Sequence, residues 1–181
     1  MPSVISHAVV SVAAGVAFAP REVPDHFWSL SLICSIIPDV DSIAFSFGIP
    51  YAHLFGHRGF FHSPFFGLLL SLFFVSVFFR GLELFSRQWF FYLMFFFSVS
   101  GSHGLLDALT TGGLGVALLS PFDQTRYFFP WRLIVVSPIG IAAFFNRWGL
   151  AVIKSELLWV WLPSFIMIIV STVIRLLGAR H

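Results

Sequence analysis

Three features of this chain predict an all-α integral membrane bundle of about five to six transmembrane or partly spanning helices. They are its composition, its long apolar runs, and the way polar punctuation divides those runs. Of 181 residues, 58% are hydrophobic, only 10% are charged and 25 are Phe, whereas soluble domains carry about 45–50% apolar residues. Backbone N–H and C=O groups in hydrocarbon need partners within their own element, which leaves helices or closed barrels as spanning structures. Barrel strands alternate apolar and polar positions, and the runs here are continuously apolar. A single membrane-embedded domain, 1–181, is expected, because the runs leave no room for a separate soluble module.

Taken in order, the apolar segments are Val4–Ala19, Phe27–Ile37, Pro64–Phe79, Trp89–Leu106, Leu133–Phe145 and Leu157–Leu177. The first resembles a secretory signal but lacks a positive n-region and carries His7, so it reads as a retained helix. The second is expected to end near Pro38, which has no amide hydrogen and disfavours helix at Ile37. Charged "RGLELFSRQ" separates the third from the fourth, and "SPFDQTRYFFPWR" precedes the fifth and sixth. Several segments are shorter than the ~20 residues needed to cross the bilayer straight, so some are tilted, broken or buried against neighbours.

The formal charge is +2 and the basic residues are scattered singly, without the clustered stripe that nucleic-acid binding requires. No nucleic-acid partner is expected. Cys34 is the one cysteine, so no disulfide framework or thiolate cluster forms within the chain, and it reads as a small core residue. Followed up and down through the bilayer, the ten Lys and Arg divide evenly between the two faces, which leaves the orientation undetermined.

The same tracing has a chemical consequence. His7 begins the first helix, "PDVD" (Pro38 to Asp41) ends the second, "GHRGFFHS" (Gly56 to Ser63) precedes the third, and "SHGLLD" (Ser102 to Asp107) ends the fourth. All four lie at one face, so His7, Asp39, Asp41, His57, His62, His103 and Asp107 are expected at one depth. Ionisable residues within a membrane are costly and usually functional. His103 and Asp107, four apart on a helix, share a face. Alone they more often form a hydrogen bond, but with three carboxylates and four imidazoles together they suit Zn²⁺ and related ions. Asp39 and Asp41, at i and i+2, reach one ion or two neighbouring ones, unless they form a simple Pro-Asp turn at the interface. The glycines around His57 and Arg58 permit a tight backbone path. Arg58 presents a planar fork of donors suited to a phosphate, or alternatively to a salt bridge within the acidic cluster. His26, His53 and His181 are left outside the group.

These motifs in this order resemble the bacterial membrane-bound, metal-dependent hydrolase family of the YdjM-like kind, over residues 1 to about 140. That family is in turn distantly similar to the helical zinc-dependent phospholipase C and P1-type nuclease group. The resemblance implies a bacterial inner-membrane location and metal ligands at His7, one or both of Asp39 and Asp41, one or both of His57 and His62, His103, and Asp107, the last a candidate bridge between two ions. One to three Zn²⁺ ions are implied, with Mn²⁺ or Mg²⁺ as alternatives. Ser42 and Phe61 depart from the family pattern, where His and Thr are frequent.

The expected activity is hydrolysis of a phosphoester, most naturally of a membrane lipid. Asp39 and Asp41 would take the proton of a metal-bound water, and Arg58 would steady charge developing on phosphorus. Arg126 and Arg132 are candidate head-group contacts, with interfacial anchoring as the other reading. The rival functions are a divalent-metal transporter, which would spread its ligands through the membrane depth or show inverted repeats, and a non-catalytic membrane scaffold holding metal for folding.

Overall fold

The computed structural model describes residues 1–138 and 144–178. It is all-helical in its regular structure: α1 (Val4–Phe18), α2 (His26–Ile36), α3 (Pro64–Phe78), α4 (Arg87–Ala108), α5 (Arg147–Glu156) and α6 (Leu162–Gly178). Three continuous helical stretches are long and apolar enough to cross a membrane: His26–Phe47, Arg87–Ala108 and Arg147–Gly178. At 15 residues each, α1 and α3 extend roughly 22 Å, short of the ~30 Å hydrocarbon core.

The second α-helix ends at Ile36, beside Pro38 as expected, but the chain does not leave the helical path. The chain tightens there from α2 into a 3-10 helix, Ile37–Phe47, whose C-terminus is closed by Gly48 at φ 71°. Proline near the start of a helical segment loses only an amide that had no helical partner, so the turn changes pitch instead of stopping. The α5–α6 stretch carries a comparable irregularity, a π-helical turn at Leu157–Trp161.

The expected helix over Leu133–Phe145 is corrected over its first part. Residues 133–138 are not helical and carry one β-bridge, at Ile134, whereas 139–143 lie outside the described residues and Phe144 is helical. The Ile134 N–H donates to Leu109 O and the Thr111 N–H to Ile134 O. The C-terminal end of α4 thus supplies partners that a helix would have found internally. A parallel bridge between Thr110 and Ile134 and an antiparallel one between Val116 and Tyr127 order the whole 109–138 segment.

The core is aromatic and lies between α2, α3 and α4, where Phe27, Phe74, Phe79, Tyr92, Phe95 and Phe96 pack with Cys34 and Val99. Lipid tails are as apolar as these side chains, so close contact and polar cross-links decide which helices touch. Ser11 of α1 and Ser31 of α2 are 2.6 Å apart, oxygen to oxygen, and the Cys34 thiol donates to Phe96 O at 3.4 Å. Arg175 of α6 donates to the carbonyls of Ala17 and Ala19 at the end of α1, a cation placed where a helix C-terminus favours one. Ser63 and Ser86 cap α3 and α4 by accepting from the Phe66 and Trp89 amides.

This up-and-down order puts the N-terminal ends of α1 and α3 beside the C-terminal ends of α2 and α4. The polar residues of the four motifs meet there.

Candidate metal centre

Each candidate is delivered by a local feature of the chain. His7 lies one turn into α1, and the 3-10 pitch of Ile37–Phe47 turns both Asp39 and Asp41 inward. His57 and Arg58 ride a tight loop in which Arg58 itself takes the left-handed conformation, at φ 63°, a strained state for a residue bearing a Cβ. Side chains at Gly56 and Gly59 would strike the carbonyls of residues 50–56, so these glycines serve the close approach. Gly104 lets α4 press against the backbone of His62, since a Cβ there would collide with the His62 carbonyl.

The structure brings His7, Asp39, Asp41, His57, His62, His103 and Asp107 together, all buried. Asp39, His62, His103 and Asp107 each offer a ligand atom lying within 4.8 Å of the others, and Asp41, His57 and His62 form a second such group. His62 Nε2 lies 3.3 Å from Asp107 Oδ2 and 3.6 Å from Asp39 Oδ1, and His103 Nε2 lies 3.3 Å from Asp39 Oδ1. The His7 ring stacks on that of His103 at 3.6 Å between centroids, with Nε2 3.7 Å from Asp107 Oδ1.

Hydrogen bonding separates the two groups. Eleven buried side-chain nitrogens and oxygens among the described residues lack a hydrogen-bond partner, and ten belong to His7, Asp39, Arg58, His62, His103 and Asp107. Leaving such atoms unpaired in a dry interior costs about 1–3 kcal/mol each. A cation held between them would engage one nitrogen or oxygen from each of Asp39, His62, His103 and Asp107. With its imidazoles neutral, the centre sets three carboxylates against one guanidinium and the N-terminal amine, 4.0 Å from Asp107 Oδ1, an excess of buried negative charge that requires pairing or a metal. The residues present therefore fit a divalent cation.

Asp41 is different from Asp39. One of its oxygens accepts from His57 Nδ1 at 2.7 Å, and the other from the Arg58 amide at 3.1 Å while lying 2.9 Å from His62 Nδ1. Asp41 and His57 thus brace the loop and orient His62, the service that outer carboxylates give metal-bound imidazoles. His103 has its own brace, since its Nδ1 donates to Ser35 O at 2.7 Å and leaves Nε2 for the centre. Burial pushes the pKa of His62 down, but Asp107, Asp39 and Asp41 outweigh it and hold it well above the ordinary histidine value. The cage around His62 favours positive charge.

The expectation that Arg58 offers its fork to a phosphate is revised. Its Nε lies 3.0 Å from Asp107 Oδ2, close but not aligned as a hydrogen bond, and its other nitrogens donate to Gly112 O and Thr110 Oγ1 at 2.8 and 2.9 Å. With no exposed surface, it is a clamp between the centre and the start of the 109–138 segment. Arg126 donates to His57 O and Tyr51 O and lies over the Tyr51 ring, stapling two loops together. Arg132 lies over the Phe128 ring on the surface. Both are outside the group of ligating atoms. His53 is exposed, with its Nδ1 accepting from the Phe55 amide. Sequence reasoning missed Ser35, Tyr51, Thr110 and Gly112. Of these only Thr110, three residues after Asp107, had any local signal.

The fold and centre define a class: a polytopic helical membrane protein with a buried His/Asp cluster at one end of its bundle. The chain matches the model of the YdjM inner membrane protein family over residues 1–180. It is also 38% identical over 172 residues to Inner membrane protein YbcI of Escherichia coli (strain K12), covering 92% of this chain and 95% of that relative. The chain belongs to the YdjM inner membrane protein family and is an inner-membrane protein. No solved structure matches it.

Proposed function

We propose that the protein is a divalent-metal-dependent hydrolase that cleaves a phosphoester, most naturally that of a membrane lipid. The observation that carries the reading is the set of unpaired, buried and mutually facing atoms of Asp39, His62, His103 and Asp107, with His7 Nε2 beside Asp107 at 3.7 Å. Mixed imidazole and carboxylate donors favour Zn²⁺, with Mn²⁺ or Mg²⁺ as alternatives. Asp107 turns Oδ1 toward His7 and Oδ2 toward His62, as a carboxylate shared by two ions would. A bound divalent ion supplies Lewis acidity and a water acidified to a pKa of about 7.

The protein's own part is orientation and proton transfer. Ser35 fixes the ring of His103, while Asp41 with His57 steadies that of His62. Arg58 holds Asp107 in place and offsets part of the negative charge. Asp39, with both oxygens free of hydrogen bonds and more exposed, at 7%, than the other residues of its group, is the group that accepts a proton. A site lodged among membrane-spanning helices favours a substrate that is itself in the membrane. Ligands gathered at one end of the bundle favour hydrolysis over transport, which needs a path through the membrane depth.

Elemental analysis of the purified protein tests the centre. Wild type is expected to carry at least one divalent ion per chain, and His103→Ala and Asp107→Ala are expected to lose it. Undiminished metal in both variants would remove the centre. Chelator-sensitive phosphate release from phosphatidic acid liposomes tests the activity. Metal without release points to a structural ion, and chelator-sensitive ion uptake points to transport.

A further inference from the structure

A groove of about 640 Å³ runs between α1 and α4, within the roughly 300–1,000 Å³ range of small-molecule sites. Its α1 wall includes Val10, Ala14 and Phe18, and its α4 wall includes Phe91, Phe95 and Ser102. Helical spacing ties both walls to the metal centre. Val10, Ala14 and Phe18 follow His7 at i+3, i+7 and i+11, which is one face of a helix. On α4, Phe91, Phe95 and Val99 precede His103 in steps of four. The groove runs toward the centre: Val10 lies one turn from His7 and Ser102 adjoins His103, although neither imidazole is among its lining residues. Its hydroxyls, Ser98 and Ser102, lie in the half nearest that end, and the far half is aliphatic and aromatic.

The groove lies along Arg87–Ala108, one of the membrane-crossing helices. A slot that opens at this depth faces hydrocarbon, where the free chains available to fill it are lipid tails. Its α4 wall from Phe90 to Ser102 covers thirteen residues, roughly 18 Å, so the volume corresponds to a cross-section of roughly 36 Å², under half that of a helix 10 Å wide. One extended chain fits better than a packed helix.

We propose that the α1/α4 groove binds one acyl chain of a lipid and presents the polar end of that lipid to the His/Asp centre. This rests on the lipid-phosphoester reading above and adds to it the place where the substrate's tail lies. It also gives the small side chains of Ala14 and Ser98 a purpose, because bulk at either position would close the slot. A methylene gains little by leaving lipid for an equally apolar groove, so the groove selects position and chain length more than it adds affinity.

The test uses the full-length protein in liposomes containing phosphatidic acid with a photoactivatable group midway along one chain. Crosslinks are expected on α1 and α4 around Ala14 and Phe95, and Ser98→Phe should reduce them at least tenfold. The control variant Ile169→Phe, on the exposed face of α6, should leave them unchanged. Ser98→Phe should also cut phosphate release from long-chain phosphatidic acid at least tenfold, while keeping wild-type metal content and turnover of p-nitrophenyl phosphate, which has no chain. Crosslinks spread evenly over the lipid-facing helices, or formed between two copies of the protein, overturn the groove. Groove crosslinks with no release from either phosphoester support the groove and overturn the hydrolase reading alone.

Discussion

Arg87–Ala108 and Arg147–Gly178 are both apolar enough to cross a membrane, but they behave in opposite ways. The second is the more hydrophobic, with a mean hydropathy of 2.3 against 1.3, yet only 11% of its most apolar stretch is buried in the protein against 50% for the first. In water the greasier helix would occupy the core. In lipid the hydrophobic effect no longer separates helix surface from solvent, and contacts between helices come from small residues, polar cross-links and close packing. The Arg87–Ala108 helix has Ser100, Gly104, His103 and Asp107 to place against neighbours. The C-terminal stretch is largely Leu, Ile, Val and Trp and faces outward, apart from a few polar anchors.

The largest expected effect comes from breaking the polar side of this contrast. Arg58→Met leaves Asp107 as an unpaired buried charge and should destabilise the protein by about 3–5 kcal/mol, read as a shift in its unfolding midpoint in detergent. The loss should be greater still after metal is stripped. The next test strikes the C-terminal stretch where it behaves like the core. Glu156 is buried and accepts from the Ser3 amide, the Ser3 hydroxyl at 2.6 Å and the Ser6 hydroxyl at 2.8 Å. Glu156→Ala should cost about 1–3 kcal/mol by orphaning these donors. Because Ser6 adjoins His7, the same variant should lower metal occupancy by elemental analysis.

Smaller effects sharpen the comparison. Ser11→Ala removes the α1–α2 hydroxyl contact and should cost about 0.6 kcal/mol, the typical worth of such a bond between membrane helices. Ile169→Ala, on an exposed face of α6, should change stability by no more than about 0.5 kcal/mol and leave metal content unchanged. A loss above 1 kcal/mol there would mean that this face packs against something other than lipid.

The existence of the bundle was legible in the sequence because composition alone settles the solvent. The meeting of the seven His and Asp residues was legible because counting spans up and down places helix ends on faces. The end of α2 beside Pro38 was legible, but its continuation as a 3-10 helix was not, since that depends on whether the following turn finds a tighter pitch to continue in. Over 133–138 the apolar run suggested a helix, but the unpaired end of α4 offered Ile134 the Leu109 carbonyl and the Thr111 amide, and no local pattern reveals such a partner. Arg58 had two readings, a phosphate fork and a salt bridge within the acidic cluster, and the folded loop favours the second: it pairs with Asp107 while its other nitrogens donate to Thr110 and Gly112.

Residue type by itself determined that this chain lives in a membrane, forms helices, and must gather its few imidazoles and carboxylates, because lone charges in hydrocarbon are too costly to scatter. Tertiary structure decided how Asp39 and Asp41, two residues apart, divide their tasks. The first keeps both oxygens free at the centre and the second is consumed by His57 and the Arg58 backbone. Spacing is a property of the local chain, whereas the partner a carboxylate finds is supplied by a loop more than fifteen residues away, and only folding brings that loop within hydrogen-bond reach.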